Sequence, residues 1–197
     1  PLLDQGGRLL CMALALDQVA PRLRLFGAAA RRAQMQQTLL GAVDELKTAC
    51  VTPDALEQTA ARCPGSLGDK LRDLALVLAA YDAVTAQGHA DPTDRLTHLA
   101  ERIPESTLGR TGQFYLDGFT DYTRQELAVV RALLTAGADV TVCLTLDALT
   151  DGNEIFGTAR HTARVLLDMA DDCGVPATVE ACPARAADTP LRVLEQQ

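Results

Sequence analysis

The sequence has no apolar run near the ~18 residues that a membrane-spanning helix needs, so it encodes no transmembrane helix. Lysine is scarce. The two present, Lys47 and Lys70, do not follow a glycine, so no G-x-x-x-x-G-K-[ST] phosphate loop exists. No G-x-G-x-x-G follows a strand-like run, and no H-E-x-x-H occurs. None of the six cysteines (Cys11, Cys50, Cys63, Cys143, Cys173, Cys182) forms a C-x-x-C pair or a Cys/His ligand pattern. Their irregular spread in an Ala/Leu-rich chain reads as reduced, mostly buried thiols in a cytoplasmic setting. His89, His98 and His161 are scattered, without an evident catalytic partner. Asp171-Asp172 alone offers too few oxygen donors for a hard cation. These absences leave neither a catalytic set nor a metal site.

Positive charge is also short. The 197 residues carry 18 Lys and Arg against 26 Asp and Glu, a net charge of −8, which argues against a compact nucleic-acid module with a strong basic face. The charge is uneven: net +2 over residues 1–50, −3 over 51–110 and −7 over 111–197. The one locally basic stretch holds Arg22, Arg24, Arg31 and Arg32. It reads as a solvated face, and as the best local candidate for nucleic-acid contact. Hydrophobic residues make up 48%, enough to bury a sizeable core. The chain starts at Pro1 without methionine or a signal segment, and stops at Glu195-Gln196-Gln197 within a helix-like pattern. Both ends read as those of a piece of a larger polypeptide.

The first 110 residues read as helices. Leu9–Val19 and Ala28–Lys47 are rich in helix formers. Thr52-Pro53-Asp54 offers a cap, a proline at the first helical position and an acid in the first turn. Ser66 is the expected cap of a helix whose Leu71, Leu74, Ala75, Leu78 and Tyr81 recur at helical spacing. Asp91-Pro92 repeats the cap-then-proline signal before Leu96, Leu99 and Ile103, and Pro104 ends that helix.

The pattern changes near Gly109. Gln113–Leu116 reads as a buried strand, Thr123 and Glu126 as a capping box opening a helix to about Ala136, and Gly137 as its terminus. Val140–Leu144 reads as a second strand, Phe156–Ala170 as a helix stopped by Gly174, and Ala177–Glu180 as a third, short strand. Strands alternating with helices imply a parallel sheet with right-handed crossovers. The fold class is therefore α/β and mostly helical, with a helical segment at 1–110 and part of an α/β domain at 111–197. Three strands are few for a parallel sheet, whose two faces need cover.

The segment that carries chemical interest is Phe114-Tyr115-Leu116-Asp117-Gly118-Phe119-Thr120-Asp121-Tyr122-Thr123. An aspartate at the C-terminal end of a parallel strand lies where α/β sheets bind ligands. In phosphate-hydrolysing proteins such an acid holds Mg²⁺ and a neighbouring carboxylate orients water. Here Gly118 follows Asp117, so no carboxylate stands at that point. The alternatives at this stage are a plain Asp-Gly turn, against which the capping box argues, and an aspartate that only satisfies loop N–H groups.

The run Tyr115–Leu127 resembles the B subunit of the AddAB helicase–nuclease (AddB/RexB), which carries a "VDGF…FTPQE" stretch where active superfamily 1 helicases of the UvrD type carry "DEFQDT". Glu45-Leu46-Lys47 with Val51–Leu56, Gly68–Leu74, Val142–Asp147 and Phe156–Leu167 are similar to further stretches of that family, in the same order. The resemblance implies an internal part of the N-terminal helicase-like region. Residues 1–110 would be the helical 1B-like subdomain and 111–197 part of the 1A domain of P-loop NTPase type. It aligns Asp117 with the Mg²⁺-coordinating acid, Gly118 with the catalytic glutamate and Asp121 with the second acid of the helicase motif. It implies a degenerate motor fold retained as a DNA-handling scaffold, since loss of an acid–base group costs on the order of 10²–10⁴-fold in rate. An AddA-type subunit would be the partner and supply the ATP- and Mg²⁺-dependent motor. DNA would be met through the full complex, no membrane is involved, and iron–sulfur cysteines would lie outside this chain. Two other readings stay open from the residues: a piece of an active superfamily 1 helicase, and an unrelated α/β interaction module.

Overall fold

Side-chain capping sets the starts of four of the eight α-helices among the described residues. The computed structural model describes residues 2–88 and 90–182. Helix α1 (Gln5–Val19) opens where Asp4 Oδ1 accepts the Gly7 N–H at 2.7 Å. After short turns at Ala20–Arg22 and Gly27–Ala29 comes α2 (Ala33–Thr48), which starts five residues later than its composition suggests. Thr52 caps α3 (Pro53–Arg62) through the Ala55 N–H at 3.2 Å, with Pro53 at the first position as expected. Helix α4 (Ser66–Thr85) corrects one expectation. Gly65 occupies the cap position, and Ser66 is the first helical residue and makes no capping bond.

These helices bury one apolar cluster. It includes Met12, Ala15 and Leu16 of α1, Leu39, Leu40 and Val43 of α2, Leu56 of α3, and Val77, Leu78 and Tyr81 of α4. Each fully buried Leu or Val contributes roughly 1.5–3 kcal/mol relative to exposure. Asp73, also fully buried in α4, accepts the N–H groups of Arg24 and Leu25 at 2.8 Å and of Phe26 at 3.1 Å. One carboxylate thus fastens the chain between α1 and α2 onto α4.

Asp91 caps a single turn, Pro92–Asp94, which leads into α5 (Arg95–Arg102). A turn at Ile103–Glu105 and a short α6 (Thr107–Thr111) follow; α6 is not apparent from the sequence pattern. Ile103 is buried against Leu133 and Ala138, so this stretch packs on what comes after it.

Strands β1 (Gln113–Leu116) and β2 (Asp139–Val142) pair in parallel, with Phe114 opposite Val140 and Leu116 opposite Val142. Their crossover is α7 (Arg124–Ala136), which begins with the expected capping box and ends at Gly137 in the left-handed conformation. Helix α8 (Gly157–Asp172) follows a turn at Glu154–Phe156. Phe114, Leu116, Val140 and Val142 pack on α7 and α8. The opposite face is at solvent, with Tyr115 70% exposed. The expectation of a buried strand is therefore corrected: among the described residues, helices cover one side only.

The expected third strand at Ala177–Glu180 is not formed. Among the described residues the segment has no strand partner, and Val179 is exposed, so its apolar side chain faces solvent. Cysteine burial also differs from expectation. Cys11 is buried, Cys63 and Cys173 are half-buried, and Cys50, Cys143 and Cys182 are exposed; all are free thiols. The chain end at Glu195-Gln196-Gln197 and His89 lie outside the described residues. The described architecture is mostly helical with a small parallel sheet. No helix among the described residues is long and apolar enough to cross a membrane.

Candidate functional site

Two loops rise from the C-terminal ends of the paired strands. The first runs from Asp117 to Thr123. Asp117 is exposed, and its Oδ1 accepts the N–H of Gly118 at 2.8 Å. Gly118 has φ +83°, and nothing lies within 4 Å of where a Cβ would stand. Asp121 is exposed too and accepts the N–H of Tyr122 at 2.8 Å. The Phe119 and Tyr122 rings stack with centroids 4.9 Å apart. Tyr122 is buried, and its phenol is pushed up by that burial, then by the charges of Glu126 and Cys143. Thr162 of α8 donates to the Thr120 carbonyl at 2.9 Å, holding the loop against the helix. The capping box closes it, with the Glu126 carboxylate accepting the Thr123 N–H at 2.7 Å.

The second loop, after β2, is organised on Asp147. Its carboxylate accepts the N–H of Asn153 at 2.6 Å and of Ala148 at 2.8 Å, and pairs with Arg160 Nη1 at 2.9 Å. Arg160 Nη2 also donates to the Asn153 carbonyl at 2.6 Å. The Asn153 N–H, aided by Ala148 and Arg160, holds the Asp147 carboxyl below the usual carboxylate range. Gly152 is required here. A Cβ at that position would run into Arg160 Nη1 and the Asp147 carboxylate. The loop presents Ile155, 79% exposed, to solvent.

Asp117, Gly118 and Asp121 therefore share one exposed loop at the C-terminal ends of the paired strands. The four arginines do not form one patch. Arg22 and Arg24 line a cleft with Arg72, Glu57 and Asp73, whereas Arg31 and Arg32 are not part of it. Arg24 pairs with Asp69 at 2.5 Å and Arg31 with Asp17 at 3.4 Å. Among the described residues Arg22 and Arg32 have no carboxylate partner. His98 and His161 are exposed, and no cluster of His, Cys, Asp and Glu among the described residues could hold a metal ion.

Comparison with known proteins decides the family. The model of the family described as "ADDB, N-terminal" matches residues 1–195. The chain belongs to the AddB N-terminal family. Its similar proteins include the B subunit of an ATP-dependent helicase/deoxyribonuclease of Desulforudis audaxviator, 38% identical over all of this chain and 18% of that protein. The B subunits of the same name from Heliobacterium modesticaldum and Moorella thermoacetica are 35% and 32% identical. They match 89% and 99% of this chain, over 15% and 18% of their own lengths. The chain thus spans less than a fifth of the relatives it matches.

The residues present do not by themselves fit Mg²⁺–ATP. Asp117 offers one exposed carboxylate, already engaged by the Gly118 N–H, and the sequence has no glycine-rich lysine loop to cradle phosphates. Sequence reasoning missed the residues that shape the second loop. Asp147 is visible only within a family-like stretch, and its pairing with Asn153 and Arg160 depends on a turn that no local spacing announces.

Proposed function

We propose that this chain is the helicase-like portion of the B subunit of an ATP-dependent helicase/deoxyribonuclease acting in double-strand break repair and recombination. It serves there as a catalytically silent scaffold for handling DNA. One observation carries the proposal: the parallel strand β1 ends next to Asp117, and the position after it is Gly118 at φ +83°, without a carboxylate to orient water. In this reading residues 1–110 are the helical 1B-like subdomain and 111–197 part of the 1A motor-like domain. The apolar packing of Ile103 on α7 then fastens one to the other.

An AddA-type subunit supplies the active motor with its ATP and Mg²⁺, and the assembly works in the cytoplasm. DNA is met through the assembled complex. On this chain the local candidates for contact are Arg22, Arg24, Arg31 and Arg32, of which Arg24 and Arg31 are partly neutralised by their aspartates. The test is ATP turnover by the full-length subunit, alone and with its partner. Turnover that appears only with the partner agrees with a silent scaffold; turnover by the subunit alone overturns it.

A further inference from the structure

The buried apolar clusters divide the chain near residue 90 rather than at 110. The first cluster draws its buried residues from Cys11 to Val84, and the other two draw theirs from Ile103 onward. Between residues 2–88 and the part from Arg95 onward, the side-chain hydrogen bonds and ion pairs among the described residues converge on residues 90–94. Ala90 accepts the Leu3 N–H at 2.9 Å. The side chain of Asp91 is fully buried; its Oδ1 accepts the Thr93 N–H at 3.0 Å and lies 3.1 Å from Arg8 Nε. Lys47 Nζ, also buried, lies 2.8 Å from Asp82, 2.7 Å from Asp94 and 3.7 Å from Asp91. It stands 5.3 Å from the centre of the Tyr81 ring. The Arg8 guanidinium grips Asp44 through both Nη atoms, and Nη2 also donates to Thr93 Oγ1 at 3.2 Å. Thr93 Oγ1 in turn donates to Asp44 at 3.1 Å.

The other half holds the same segment from the opposite side. Gln125, buried in the first turn of α7, donates Nε2 to the Thr93 carbonyl at 2.8 Å and to Thr97 Oγ1 at 3.1 Å. Thr93 is thus held by its hydroxyl to α1 and α2, and by its carbonyl to α7. Two cations face four carboxylates, and buried charges are tolerated only while paired. Removing Lys47 leaves Asp82 and Asp94 without their cation and Asp91 with Arg8 alone, which favours release of the segment into water.

We propose that residues 91–94, pinned by Arg8 and Lys47 and gripped by Gln125, form a polar clamp that couples helices α1, α2 and α4 to α7, so that loosening on one side of the clamp is passed to the other. Lys47 is its release point. The substitutions Lys47→Met and Gln125→Ala cut the clamp on opposite sides, and these two side chains share no direct hydrogen bond. Hydrogen exchange on the full chain, read by peptide, distinguishes a clamp from two local contacts. For a clamp, Lys47→Met speeds exchange in α5 and the first turn of α7, and Gln125→Ala speeds it at residues 44–48, each by about five- to ten-fold, the scale of one lost buried hydrogen bond. The double variant then exchanges no faster than the worse single one. Effects confined to each variant's own neighbours, or additive in the double variant, overturn the proposal. Should Lys47→Met fail to fold, Gln125→Ala decides alone, since it strands no buried charge: faster exchange at residues 44–48 supports the clamp and unchanged exchange there overturns it.

Discussion

Asp117 turns its carboxylate onto the N–H of Gly118, 2.8 Å away, at the end of β1. The acid therefore spends one oxygen on its own loop, beside a residue whose φ of +83° suits glycine. Space is available for a side chain at Gly118, but the backbone conformation disfavours one. Gly118→Glu is expected to lower stability by about 1–2 kcal/mol, the cost of a left-handed non-glycine residue. It is expected to confer no ATP turnover on the full-length subunit. Urea unfolding and phosphate release measure the two effects; turnover gained by this change would mean that the loop is one residue away from activity.

The second loop depends on Gly152. With Arg160 and Asp147 in the way of any Cβ, Gly152→Ala should cost about 1–3 kcal/mol, as overpacking does, and loosen residues 147–156. Thermal unfolding and amide exchange report both. Acid should loosen the same loop. The Asp147 carboxyl is held low in the folded chain, so its contribution is present above the unfolded value of about 3.9 and fades as pH falls through the folded value. Asn153 N–H protection should fall over that range.

Asp73 holds three backbone N–H groups inside the helical half. Asp73→Asn places an amide donor where three N–H groups need an acceptor, those of Arg24, Leu25 and Phe26. A loss of about 3 kcal/mol is expected from leaving such groups unsatisfied. Exchange of these three amides should rise first. A change within experimental error would show that the segment is held by other contacts.

Alkaline pH should weaken the clamp. Burial opposes the Lys47 charge, but its pairs with Asp82 and Asp94 outweigh that and raise it above the ordinary lysine value. Burial, and then the Asp91 carboxylate, push the Tyr81 phenol up as well. Arg8 remains charged throughout and pairs with Asp44 and Asp91. Both raised groups hold their protons more tightly when folded. Their contribution is complete below the unfolded values, near pH 10, and is lost as pH rises through the folded ones. Unfolding midpoints measured from pH 8 upward should fall above about pH 10, and Lys47→Met should flatten that fall.

The parts of the fold legible in the sequence are those governed by near neighbours. Thr52-Pro53, the Thr123/Glu126 box and Gly137 each act within one turn and stand where the pattern puts them, whereas Asp91-Pro92 caps a separate short turn just ahead of α5. Parallel pairing of β1 and β2 follows from a helix between two short strands. The exposure of Tyr115 does not, because strand composition does not reveal whether both faces are covered. Ala177–Glu180 has β-compatible residues but no partner strand among the described residues, and composition carries no information about partners. Asp73 reaches Arg24 across 49 residues of sequence and Lys47 reaches Asp94 across 47, through contacts that no local spacing records. At the candidate site the order Asp117-Gly118 is readable directly. That the carboxylate faces its own loop is not.

In the proposed function the loop carrying Asp117 is a silent remnant of a phosphate site. Isothermal titration of this chain with Mg²⁺–ATP tests it most directly, with single-stranded DNA titrated in parallel at low and at physiological salt. The predicted result is no saturable nucleotide binding, and DNA binding that is weak and disappears as salt rises. Saturable, stoichiometric uptake of Mg²⁺–ATP that is lost in Asp117→Ala would contradict the claim and make this loop a working phosphate site.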